Sequence, residues 1–137
     1  MTQNPPPAAT LGAGEIRELA QRLDLRPSKS LGQNFVVDGN TCRKIVRLAR
    51  VHSSDVVLEI GPGLGSVTLA LLAEAKTVVA IEIDGRLAKQ LPLTIAAHLP
   101  TKVSAVVVIN DDALNITNIA PGVSPTILVA NLPYNVS

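Results

Sequence analysis

Residues 56–65 read Val-Val-Leu-Glu-Ile-Gly-Pro-Gly-Leu-Gly, and they leave the chain little freedom. Five mostly aliphatic residues lead into three glycines at alternate positions, and Ser66 to Glu74 has helical composition. The pattern predicts a strand, a tight turn and the start of a helix. Glycines suit such a turn because it often needs positive φ and because a side chain would hold the backbone away from a ligand. The helix that follows offers unpaired N–H groups to electron-rich atoms. A glycine triplet alone fits a plain strand–turn–helix connection equally well, so the rest of the chain must decide.

Residues 1–13, rich in Pro and Ala and without periodicity, predict a disordered tail. Ile16, Leu19, Ala20 and Leu23 keep helical spacing within 14–24, and Arg26-Pro27 ends that helix. Ser28 to Val37 reads as a polar loop with one apolar patch, Phe35-Val36-Val37. A second helix, capped by Asp38 or Asn40, turns Cys42, Ile45, Val46 and Ala49 inward and Arg43, Lys44, Arg47 and Arg50 outward. Further strands are predicted over Thr77–Ile83, Val103–Ile109 and Thr126–Ala130. Asp84 is expected to cap a helix that Pro92 interrupts or kinks. Apolar strands alternating with helices predict a parallel sheet covered on both faces, an α/β, Rossmann-like fold.

Composition bounds the rest. The chain is 47% hydrophobic with only Phe35 and Tyr134 as aromatics, so its core must be aliphatic. Residues 1–50 hold eight Lys/Arg against four Asp/Glu, whereas residues 51–137 hold four against seven. A basic leading segment on a near-neutral remainder suits a polyanionic partner, and a solvated helix face explains it as well. The single Cys42 excludes an internal disulfide and fits a reducing compartment. His52 and His98 are isolated, which leaves no metal site, and no apolar run is long enough to span a bilayer. A soluble, cytoplasmic protein is expected.

Four strand ends carry something polar or glycine-rich, and ligands of doubly wound sheets bind outside such ends. They are Gly61-Pro62-Gly63-Leu64-Gly65, Glu82, Asp111-Asp112 and Asn131-Leu132-Pro133-Tyr134. Glu82 lies 21 residues after Gly61, a spacing at which a carboxylate can accept ribose hydroxyls. A dinucleotide loop would place its third glycine one residue later, where Ser66 stands. G-x-G-x-G instead resembles the first motif of class I S-adenosylmethionine methyltransferases, with Asp112 at the adenine. Asn131-Leu132-Pro133-Tyr134 resembles the Asn/Asp/Ser-Pro-Pro-Tyr motif of enzymes that methylate planar amino groups. The N6 lone pair of adenine is delocalised into its ring. An Asn131 side-chain oxygen and a Leu132 carbonyl accepting its two N–H bonds let the nitrogen pyramidalise and support the charge that develops. Pro133 fixes the carbonyl's direction, and Tyr134 can stack on the extruded base.

With Lys29-Ser30-Leu31-Gly32-Gln33-Asn34-Phe35 added, the combination resembles the ribosomal RNA adenine N6-dimethyltransferase family, above all its bacterial small-subunit (16S) branch. The likeness implies dimethylation of two adjacent adenines in a small-subunit rRNA 3′-terminal hairpin, and a role in subunit maturation. It assigns Asn34, Val36, Gly61, Gly63, Gly65, Glu82, Asp112 and Asn131 to S-adenosylmethionine, and Asn131 to Tyr134 to the adenine. It implies rRNA or a small-subunit precursor as partner, no metal and a monomer. Val36 stands where the family usually has Leu, and Asp111 where it often has Gly.

By the same likeness, residues 14–137 are the N-terminal part of a catalytic domain, about four strands of it. The family's remaining strands and helical RNA-binding domain are expected to be missing from these residues, and little or no methyl transfer is expected. Two other readings compete. A nicotinamide-dependent oxidoreductase accounts for Gly61 to Gly65 and Glu82 but leaves Asn131–Tyr134 without a role. A non-catalytic pre-ribosomal RNA-binding factor would use Arg43, Lys44, Arg47 and Arg50.

Overall fold

The computed structural model describes residues 10–25, 39–115 and 124–130. Its elements run α1 (Ala13–Arg22), α2 (Gly39–Leu48), β1 (Val56–Ile60), α3 (Ser66–Glu74), β2 (Thr77–Glu82), α4 (Gly85–His98), β3 (Val106–Asn110) and β4 (Ile127–Ala130). The four strands form one parallel sheet in the order β3-β2-β1-β4. The chain steps outward from β1 through β2 to β3 and then returns to β1's other side. The reversal falls between β1 and β4, and their carboxyl ends flank the switch point at which such sheets open a crevice.

One face of the sheet builds the core. Val57, Val78 and Ala80 form a single buried cluster with Ile16 and Leu19 of α1, Cys42 and Val46 of α2, Leu69 to Leu72 of α3, and Leu87, Leu91 and Ile95 of α4. Every large member is aliphatic, as the shortage of aromatics requires. α3 is buried on nearly every side, because it lies between the sheet and α2. That explains why an apolar run without an amphipathic stripe is still helical.

The sheet's second face is apolar too, as the strand composition predicts. The alternate positions make one cross-sheet row of Val107, Val79, Leu58 and Leu128, and a second of Ile109, Ile81, Ile60 and Ala130. Val79 and Ile81 are buried outside the core cluster, whereas Leu128 and Val107 are 63% and 41% exposed. Among the described residues the helices pack on the other face.

Two element boundaries also differ. Val103 belongs to a 3₁₀ segment opened by Pro100, and the strand begins only at Val106. α4 continues through Pro92. The interior proline, worth about 3 kcal/mol in an isolated helix, is outweighed by burial of Leu91, Thr94 and Ile95 against the core.

α1 is docked by polar contacts. Arg86 Nη1 donates to the carbonyls of Leu23 (3.0 Å) and Asp24 (3.1 Å), and His98 Nε2 meets Glu15 Oε2 at 2.6 Å. The start of β4 is tied to that of β1. Thr126 Oγ1 donates to Asp55 Oδ1 at 2.8 Å and Thr126 N to the Val56 carbonyl at 2.8 Å.

Candidate cofactor site at the switch point

The loop after β1 takes the geometry its glycines allow. Gly61, Gly63 and Gly65 have φ of 75°, 59° and 103°, the left-handed region that residues with a Cβ avoid. Gly65 is constrained twice, since a Cβ there would lie 2.7 Å from Leu91 Cδ1 of α4. The Gly61 N–H is committed to the Ile81 carbonyl (2.9 Å) and the Gly65 N–H to Pro62 (3.0 Å). The loop is thereby fixed to the neighbouring strand and to itself.

Glu82 ends β2 beside this loop and is 5% exposed. Its Oε1 accepts from Gly63 N at 3.0 Å and its Oε2 from Asp84 N at 3.0 Å. Each carboxylate oxygen has a second lone pair, so the two backbone bonds orient the group and leave acceptor capacity on both oxygens. Asp84 in turn caps α4, accepting from Arg86 N (2.8 Å) and Leu87 N (3.4 Å). The Arg86 side chain, donating to Asp84, holds that carboxyl below the usual carboxylate range.

The end of β3 is braced on the same strand. Asn110 Nδ2 donates to the Glu82 (2.9 Å) and Ile83 (3.2 Å) carbonyls, and Asp111 N donates to Glu82 O at 3.1 Å. Asp112 Oδ1 accepts from Leu114 N at 2.9 Å, which makes it the cap of the 3₁₀ turn Ala113–Asn115. Asp111 Oδ1 receives the Asp112 N–H at 2.7 Å. The two aspartates differ in role: one turns the chain, while Asp112 starts the turn that follows.

Behind the loop, Glu59 is fully buried. Thr68 of α3 donates to its Oε1 at 2.5 Å, and its Oε2 has no partner among the described residues. Burial pushes the carboxyl up to about 7, against the lowering effect of the Thr68 hydroxyl and with a smaller push from Glu82.

Of the residues expected at the site, Gly61, Gly63, Gly65 and Glu82 are brought together, and Asp112 stands at the carboxyl end of β3, whose first position beyond the strand is bonded to Glu82. Asn34, Val36, Asn131, Leu132, Pro133 and Tyr134 lie outside the described residues. Thr68, which bonds Glu59, and Asn110, which braces the end of β2, are site residues that motif and spacing do not reveal. The spacing from Glu59 to Thr68 was visible, but nothing in it signals a hydrogen bond across a loop. Among the described residues there is no cluster able to hold a metal ion and no helix long and apolar enough to cross a membrane.

These residues suit a nucleoside-containing ligand with a flexible amino-acid arm. At Gly61, Gly63 and Gly65 the loop presents backbone without side chains, and a pre-oriented carboxylate with spare acceptor capacity lies beside it. A parallel sheet with this switch point, a left-handed G-x-G-x-G loop and an acid closing the next strand define the Rossmann-like class of S-adenosylmethionine-dependent methyltransferase domains. Residues 25–137 match the family model described as ribosomal RNA adenine dimethylase. The chain belongs to that family.

Relatives agree with this placement. The chain is 53% identical over 134 residues to ribosomal RNA small subunit methyltransferase A of Streptomyces coelicolor, covering 98% of this chain and 46% of that protein. The chain thus spans about half the length of the curated relative it matches. A dimethyladenosine transferase from Plasmodium falciparum superposes with a TM-score of 0.57 at 33% identity, over 73% of this chain and 34% of that one. The O-methyltransferase TomG from Streptomyces achromogenes, solved in complex with SAM, reaches a TM-score of 0.66. At 20% identity, over 87% of this chain and 52% of its own, it supports the shared fold alone.

Proposed function

We propose that this chain supplies the cofactor half of an enzyme that methylates adenine N6 in small-subunit ribosomal RNA, two methyls on each of two adjacent adenines. The observation that carries the cofactor half is the Glu82 carboxylate, fixed by the Gly63 and Asp84 N–H groups beside three left-handed glycines. S-adenosylmethionine supplies an electrophilic sulfonium methyl group. Gly61, Gly63 and Gly65 admit its amino-acid arm, Glu82 accepts its ribose hydroxyls, and Asp112 accepts from its adenine amine, with Asn34 and Val36 completing the contacts. Asn131 and the Leu132 carbonyl hold the target amino group, Pro133 sets the carbonyl's direction and Tyr134 stacks on the flipped base. Positioning carries most of the rate, because the product ammonium sheds its proton without a strong base.

The adenine half rests on Asn131 to Tyr134 together with the family membership, and the rRNA substrate on the relatives' names. Residues 14–137 are read as one catalytic-domain segment, acting as a cytoplasmic monomer on a small-subunit precursor. Isothermal titration tests the cofactor. S-adenosylmethionine and S-adenosylhomocysteine should bind, NAD should not, and Glu82→Ala should abolish binding. Binding of NAD alone would refute the proposal.

A further inference from the structure

A groove of about 940 Å³ lies away from the cofactor loop, between α2, residues 50–52 and the far end of α3. Its rim carries Arg43, Arg47, Arg50 and His52, and among the described residues Glu74 is the one acidic residue lining it. Ala70 and Ala73 contribute to its α3 side. α3 starts at the glycine loop and is nine residues long, so the groove reaches roughly 13 Å from that loop. Arg43, Arg47 and Arg50 recur at i, i+4 and i+7, one stripe of the helix and its exit. The inward side of α2, Cys42 and Val46, is buried, which fixes that stripe outward.

Two features mark this stripe, whose Arg43 also donates through Nη2 to Asn40 Oδ1 of its own helix. Among the described residues the ion pairs engage Arg86 and His98, and none engages Arg43, Arg47 or Arg50. Arg50 also holds φ of 55°, a left-handed position that glycine or asparagine would occupy more easily. Its N–H donates to the Arg47 carbonyl at 3.0 Å, closing the helix and turning His52 onto the same rim. A cation is thus kept where the backbone favours a residue without one.

We infer that this groove binds the sugar-phosphate backbone of the RNA that flanks the target adenine, as a docking strip separate from the crevice. The inference rests on the proposed RNA substrate. Arginine forks pair bidentately with phosphate, and such contacts position a nucleic acid without reading its sequence.

The test uses the 137-residue chain and a fluorescein-labelled RNA hairpin with two adjacent adenines in its loop, titrated from ~50 to ~200 mM salt. Arg47→Glu/Arg50→Glu should weaken binding at least about tenfold and flatten the log–log salt slope by about 1 to 2. Lys89→Glu/Lys102→Glu, an equal charge change elsewhere, should have a much smaller effect. Arg50→Gly should leave the fold at least as stable to urea while weakening RNA binding. Equal losses from both double variants would overturn the inference, as would unchanged RNA binding by Arg50→Gly. A wild-type chain that binds RNA but ignores the groove variants refutes the groove alone. One that binds no RNA removes the RNA reading as well.

Discussion

Glu59 gives the structure its sharpest pH dependence. Its carboxyl moves from an ordinary 4.5 to about 7 because it is buried with one oxygen unpartnered. A folded-state value above the unfolded one means that the native state binds the proton more tightly. The stabilisation is therefore fully present below about 4.5, and it is lost as the pH rises through about 7. At about 1.4 kcal/mol per unit, the full effect is about 3 kcal/mol, most of it falling between about pH 5 and about pH 8. Urea unfolding followed by circular dichroism across that window should show the native state weakening by about 2 to 3 kcal/mol as pH rises. Glu59→Gln keeps the size and an acceptor for Thr68 but cannot ionise, so its stability should change far less. The difference between the two proteins is the quantity to read, since contributions from histidines are common to both. Equal slopes in the two proteins would refute the reasoning, because the pH response would then arise elsewhere.

Gly65→Ala should destabilise the fold by about 1 to 3 kcal/mol, as it imposes left-handed strain and an overlap with Leu91 together; wild-type stability to urea would contradict this. Asp84→Ala should lose the α4 cap, about 1 kcal/mol, and free Arg86 from its orientation toward α1. Because the folded value of Asp84 is lowered, its contribution is present above the usual carboxylate range and lost on acidification. Hydrogen exchange at the α1 amides reads the undocking, and unchanged protection would count against it. Leu128→Lys should reduce binding of an apolar fluorescent dye to the sheet edges at which Leu128 and Val107 are exposed; undiminished fluorescence would mean that the dye binds elsewhere.

Much of this was legible in the chain. The run from Val56 to Gly65 determined strand, left-handed turn and helix by itself, because each step is local: β-branched residues, then glycines, then a helix start. Helical spacing likewise placed the buried residues of α1 and α2, and Asp84 announced its cap. Motif identity carried the family, since Leu31–Phe35 and Asn131–Tyr134 match it without any need of coordinates. Only the tertiary structure decided the rest. That Glu82 is held by Gly63 and Asp84, that Thr68 meets Glu59 across the loop, and that Asn110 braces β2 all depend on strand register, which sequence spacing does not encode. α4 runs on through Pro92 because the packing of Leu91 and Ile95 outweighs a local propensity. Apolar strands show that burial of both faces is favourable, but not which elements meet which face. Which face the helices of this segment cover is fixed by the connections between strands, and those are settled when the chain folds.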